Sequence, residues 1–264
     1  MTDYTALIVQ ADGPVARIIL NRPDTRNAFD EVLIAELARA FQEVGALPAV
    51  RAIVLAANGP AFCAGVNLNW MRRAADFTRE QNVQDANGLA AIPRAIHDCP
   101  KPVIARVHGD AYAGGMGLVA ACDIAVAAEG AGFCLSEVKI GLIPATISPY
   151  MLRAIGARAA QRYFLTGERF SAAEALRIGL VHEVVASESL DARIDVFLKL
   201  LLAAGPASVR TCKRLVADVA GREIDDELIA YTVEAIADTR ASAEGKEGVR
   251  AFLEKRKPSW LTLA

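Results

Sequence analysis

Two short apolar runs between Ala6 and Arg22 flank the turn signal Asp12-Gly13-Pro14, a pattern that predicts a hairpin with Val15 to Leu20 as its second strand. From Ala28 to Val44, the residues Phe29, Leu33, Leu37, Ala40 and Phe41 recur at three- and four-residue intervals, the period of a helix with one apolar face. The unbroken run Ala52 to Ala57 reads as a buried strand. Polar helices up to His97 follow, then a third core strand, Val103 to Val107. Short strands at Ile124 to Ala127 and Phe133 to Leu135 flank the small-residue segment Ala113 to Ala121. The alternation predicts an α/β core of repeated strand and helix units.

Past Gly141 the pattern becomes mostly helical, with one more strand expected at Val181 to Ala186. Ser171-Ala-Ala-Glu174 has the spacing of a capping box, and Gly179 ends the short helix that it starts. Helices are expected at Ser189 to Ala204, Ala207 to Val219, Glu223 to Thr239 and Ala243 to Arg256. The chain divides on this reading into an α/β core over residues 1–200 and a C-terminal helical region over 201–264 that caps the core or packs between subunits.

Composition narrows the function. A chain of 264 residues, 53% apolar, buries a substantial core. Its formal charge of -2, without a basic cluster, gives no field for gripping nucleic acid or an anionic membrane. The N-terminus lacks the basic and apolar regions of a secretory signal, and no apolar run approaches the roughly 20 residues that span a bilayer. Five scattered cysteines without a C-x-x-C pair read as reduced thiols, so a cytoplasmic location is expected. His97, His108 and His182 show no metal-ligand spacing, and no metal is expected.

Two segments carry chemistry. Gly59-Pro-Ala-Phe-Cys-Ala-Gly65-Val66-Asn-Leu-Asn-Trp-Met71 and His108-Gly-Asp-Ala-Tyr-Ala-Gly114-Gly115-Met116-Gly117 each follow a buried strand and strip side chains away where a helix begins. Free N–H groups at a helix start stabilise negative charge. Two of them converging on one oxygen suit thioester chemistry, in which proton removal or nucleophile addition places charge on the carbonyl oxygen. Either segment taken singly reads as tight packing.

Together with Asn21-Arg-Pro-Asp-Thr-Arg-Asn-Ala-Phe29, the run Cys122-Asp123, and Phe133-Cys-Leu-Ser-Glu-Val-Lys-Ile-Gly-Leu-Ile-Pro144, these segments resemble the successive signatures of the enoyl-CoA hydratase/isomerase (crotonase) superfamily. The tail Glu247-Gly-Val-Arg-Ala-Phe-Leu-Glu-Lys-Arg-Lys-Pro258 is similar to that family's C-terminus, so the likeness runs nearly end to end. It implies a crotonase-like spiral of repeated ββα units followed by C-terminal helices. It also implies a homotrimer or hexamer acting on acyl-CoA thioesters, without a separate cofactor.

The same resemblance implies site residues. Val66 and Gly114 supply the oxyanion-hole amides, and Glu137 is the acid–base carboxylate, set in an apolar run that would raise its pKa. Arg26, Ala28, Ala64, Asn67, Leu68 and Gly115 are the positions expected to meet coenzyme A, with Arg26 against a phosphate. Ser136 and Tyr112 are candidates to help orient a water. Lys257 and Trp260 either reach a neighbouring subunit's ligand or finish a surface helix. Two departures stand out. Many hydratases of the family carry a first glutamate three residues past the oxyanion glycine, and Gly117 stands there. Asn67 and Asn69 replace a common acid and base.

The leading expectation is an enzyme that hydrates the 2,3 double bond of an enoyl-CoA. The Phe133 to Pro149 stretch is similar to hydratases of branched glutaconyl-CoA substrates. A double-bond isomerase with Glu137 as its only proton shuttle is the alternative. Thioester hydrolysis, decarboxylation and a non-catalytic CoA-fold scaffold stand behind these.

Overall fold

The computed structural model describes residues 3–11 and 13–261. Its first strands, β1 (Leu7–Gln10) and β2 (Val15–Leu20), pair antiparallel with Leu7 opposite Leu20 and Gln10 opposite Arg17. This is the predicted hairpin; Asp12 of its turn signal lies outside the described residues. The next helix starts later than its periodicity suggests. Arg26 and Asn27 take φ values of 53° and 56°, and Phe29 forms a parallel bridge with Val66. Only then does α1 (Glu31–Ala46) begin, capped by Asp30, whose carboxylate accepts the Leu33 N–H at 3.0 Å.

The chain continues through β3 (Ala52–Ala57), β4 (Ala61–Cys63), α2 (Leu68–Ala74), α3 (Arg79–His97), β5 (Val103–Val107), β6 (Asp110–Tyr112), α4 (Gly114–Ala121), β7 (Ile124–Ala128) and β8 (Gly132–Cys134). After a 3-10 turn at Glu137–Ile140 come α5 (Ser148–Thr166), β9 (Arg169–Ser171), α6 (Ala172–Arg177), β10 (Glu183–Val185), α7 (Leu190–Ala203), α8 (Pro206–Val219), α9 (Asp226–Ala241) and α10 (Ala243–Leu253).

Two sheets organise these elements. The larger runs β1-β2-β3-β5-β7-β10, parallel except for the β1–β2 pair. The smaller runs β4-β6-β8-β9, with only β9 antiparallel. Each of β3, β5 and β7 leaves the large sheet into a small-sheet strand and then into helix, which is the expected repeated ββα unit. In β3 all six residues are buried. Ile53, Leu55 and Ala57 join the main core, while Ala52, Val54 and Ala56 meet Leu190, Ile194 and Leu198 of α7 on the other face. Cover on both sides explains why that strand is apolar without alternation.

The capping box predicted at Ser171 is made on one side only. Ser171 Oγ accepts the Glu174 N–H at 3.3 Å, but the Glu174 carboxylate turns instead to the Tyr163 hydroxyl and Arg177. A complete box forms at Thr78 and Gln81, opening α3.

Candidate active site

The small sheet brings the candidate residues to one edge. Its register aligns Cys63 with Ala111 and Ala111 with Phe133, and these three strands run parallel. Val66 and Gly114 lie three residues beyond their members of that row, and Glu137 lies four beyond its own. All three therefore emerge at the carboxyl ends of neighbouring parallel strands, where open α/β sheets place their ligands.

The two glycine segments touch. A Cβ built on Gly65 would sit 3.0 Å from Ala113 Cβ and 3.2 Å from Tyr112 O. One on Gly115 would meet Cys63 O at 2.6 Å, and one on Gly114 would meet Phe29 Cε2 at 2.5 Å. Phe29 ties the pair from below: its N–H donates to Gly65 O at 2.7 Å, and its carbonyl accepts the Asn67 N–H at 2.8 Å. Those bonds engage the amides on either side of Val66 and leave the Val66 N–H without an acceptor among the described residues. Gly114 is the first residue of α4, where helix geometry leaves the N–H free. Ala113 just before it holds φ 47° and ψ -121°, a conformation that favours glycine and that fixes the direction of the Gly114 amide. The Ala113 N–H is anchored to Cys134 O at 2.8 Å.

Glu137 opens the 3-10 turn that leaves β8, and its Oε2 is buried with no hydrogen-bond partner. Desolvation raises its pKa above the ordinary carboxylate value, opposed only by its own backbone N–H. A carboxylate so placed, with an idle buried oxygen, is suited to taking and returning a proton near neutral pH.

The other predicted positions divide. The Arg26 carbonyl accepts the Ala64 N–H at 2.9 Å, so the first motif and the Ala64 segment are joined, while the Arg26 side chain is exposed. Ala28 is buried, Leu68 is exposed, and Asn67 caps α2 by accepting the Asn69 N–H at 2.9 Å. The Tyr112 hydroxyl donates to Asp110 at 2.9 Å and accepts from Arg169 at 3.1 Å. Ser136 precedes Glu137, and its side chain makes no capping bond. Lys257 is exposed. Trp260 folds back instead of reaching outward: its indole N–H donates to Ala203 O at 3.1 Å, and its ring packs on Gly248.

Two residues escape a reading by motif. Asn27 is fully buried; its amide donates to Asn58 O at 2.8 Å and Ala61 O at 3.0 Å, while its oxygen accepts the Arg22 N–H at 2.8 Å. An asparagine inside the first motif, a residue type that tolerates the left-handed backbone (φ 56°) it adopts there, is the signal that could have found it. Ile147 packs against Gly117, a contact 30 positions apart that no local pattern announces.

Residues 10–262 match the enoyl-CoA hydratase/isomerase family. An enoyl-CoA hydratase structure from Shewanella pealeana is 44% identical, covers 97% of this chain and 96% of its own, and superposes with a TM-score of 0.94. Pseudomonas aeruginosa AtuE is 34% identical over 97% of this chain and 99% of its own, with a TM-score of 0.92. The mevalonyl-coenzyme A hydratase sidH of Aspergillus fumigatus is 36% identical, over 92% of this chain and 90% of that protein. The fold of this chain is therefore the crotonase fold.

Proposed function

Because this chain belongs to the enoyl-CoA hydratase/isomerase family, we propose that it hydrates the 2,3 double bond of an enoyl-CoA thioester, with Glu137 as base and then acid. The observation that carries this reading is the buried, unpartnered Glu137 Oε2 on the edge shared with the Val66 and Gly114 amides. In the first step Glu137 takes a proton from water as the water oxygen bonds to C3. The C2–C3 π electrons move onto the thioester carbonyl, and the Val66 and Gly114 N–H groups hold the resulting oxyanion. In the second step the enolate collapses and C2 takes the proton from Glu137. Arg26, Ala28, Ala64, Asn67, Leu68 and Gly115 line the route for coenzyme A, with Arg26 toward phosphate. Tyr112 and Ser136 border the acyl end.

A branched glutaconyl-type acyl group is the finer reading; the relative named for mevalonyl-coenzyme A, whose acyl chain is methyl-branched and ends in a hydroxyl, supports the branch and not the second carboxylate. Assembly into trimers or hexamers is supported by apolar side chains left exposed on and beside the last helices, among them Val216, Ile224, Val233, Phe252 and Leu253. Gly117, where a second carboxylate is absent, favours a second reading. One carboxylate suffices to move a proton between C2 and C4, so isomerisation of a 3-enoyl-CoA is the rival.

Purified protein given crotonyl-CoA and, separately, a 3-enoyl-CoA distinguishes them. Loss of the conjugated enoyl absorbance with the first supports hydration; only a gain with the second makes the protein an isomerase.

A further inference from the structure

The Val66 and Gly114 N–H groups belong to the peptide units that begin at Gly65 and at Ala113, and those two residues touch. A Cβ built on Gly65, whose φ is 85°, would lie 3.0 Å from the Ala113 Cβ. The Ala113 methyl thus fills the space beside Gly65 and spaces one amide-bearing peptide from the other. It does so from φ 47° and ψ -121°, a conformation in which a β-carbon crowds the backbone. Such a conformation lasts only where its surroundings hold it. The Ala113 N–H donates to Cys134 O at 2.8 Å, three residues before Glu137, and the Ala113 carbonyl accepts the Met116 N–H at 2.9 Å in the first turn of α4. Across a trans peptide the N–H points opposite to the carbonyl, so the bond that draws the Ala113 carbonyl onto α4 aims the Gly114 N–H off the start of the helix.

We infer that Ala113 is a positioning residue of this site: its methyl wedges against Gly65 and sets both the separation and the aim of the two amides. The inference rests on the reading of those amides as the holders of the thioester oxygen. Its contacts reach all three candidate groups, since its peptide carries the Gly114 N–H, its methyl meets the residue before Val66, and its N–H is tied to the strand that delivers Glu137. A glycine at position 113 takes the same backbone without strain but supplies no wedge and no restriction to one orientation.

Cinnamoyl-CoA reads the two amides, because polarising its carbonyl moves the absorbance of the conjugated system to longer wavelength. Ala113→Gly in the full chain, with circular dichroism confirming the fold, lowers kcat for crotonyl-CoA hydration roughly tenfold and leaves KM unchanged. Bound cinnamoyl-CoA shifts less on this variant than on wild type. Ala113→Ser, which restores the β-carbon, gives a larger shift than Ala113→Gly. A change confined to Tm, or a fall in kcat with the wild-type red shift kept, marks a merely structural role and overturns the inference. Equal shifts on the glycine and serine variants overturn it as well. A wild-type protein that binds cinnamoyl-CoA without any red shift overturns instead the reading of the Val66 and Gly114 amides, so the two failures are told apart.

Discussion

The Phe29 ring lies so close to Gly114 that a Cβ on the glycine would come within 2.5 Å of Cε2. The same phenylalanine pairs through its backbone with the residues around Val66, so one side chain and one peptide unit set both candidate oxyanion amides. Gly114→Ala therefore overpacks the site. A loss of about 1–3 kcal/mol in denaturant unfolding is expected, together with lower thioester turnover. Adding Phe29→Leu should return much of the stability. A neutral Gly114→Ala contradicts the packing account.

Asn27 offers a second test, because one of its three hydrogen bonds braces the loop of the first motif at Arg22 and the other two join that loop to Asn58 and to Ala61 of the strand that leads to Val66. Asn27→Ala leaves buried carbonyl and N–H groups without partners, which costs about 1–3 kcal/mol in unfolding free energy. The unfolding midpoint should fall while kcat changes less than KM, since the residue positions the CoA loop and does not touch the reacting carbons.

Arg26 separates phosphate recognition from chemistry. Arg26→Ala should raise KM for an acyl-CoA roughly tenfold, the equivalent of one charge-assisted hydrogen bond. Turnover of the matching N-acetylcysteamine thioester, which has no phosphate, should be unchanged. An equal loss on both substrates contradicts a phosphate contact.

Burial of Glu137 has a thermodynamic sign. Its folded pKa is raised, so the folded state binds its proton more tightly than the unfolded chain does, and ionisation costs stability as pH rises past the ordinary value of 4.5. Glu137→Gln removes that cost. The variant should melt above the wild type at neutral pH, with the gap closing as pH falls toward 4.5. A gap that is constant with pH contradicts the desolvation account.

Much of this was legible from the sequence, because long apolar runs such as Ala52–Ala57 and Val103–Val107 leave few alternatives to buried strands. The small sheet was less so. Its strands β4, β6 and β9 are three residues long, and the first two lie beside glycine turns where no period can accumulate. The motifs named Val66, Gly114 and Glu137, but only the register of that sheet shows them on one edge. The packing of Ile147 against Gly117 was invisible for a different reason: it joins positions 30 residues apart, a contact that chain-local patterns do not record.

The central claim is that Glu137 carries the proton. The most direct measurement is the hydration rate of a 2-enoyl-CoA by wild type and Glu137→Gln, with circular dichroism confirming that both are folded. The account predicts that kcat falls roughly a hundredfold or more in the variant; a folded Glu137→Gln with wild-type turnover would contradict it.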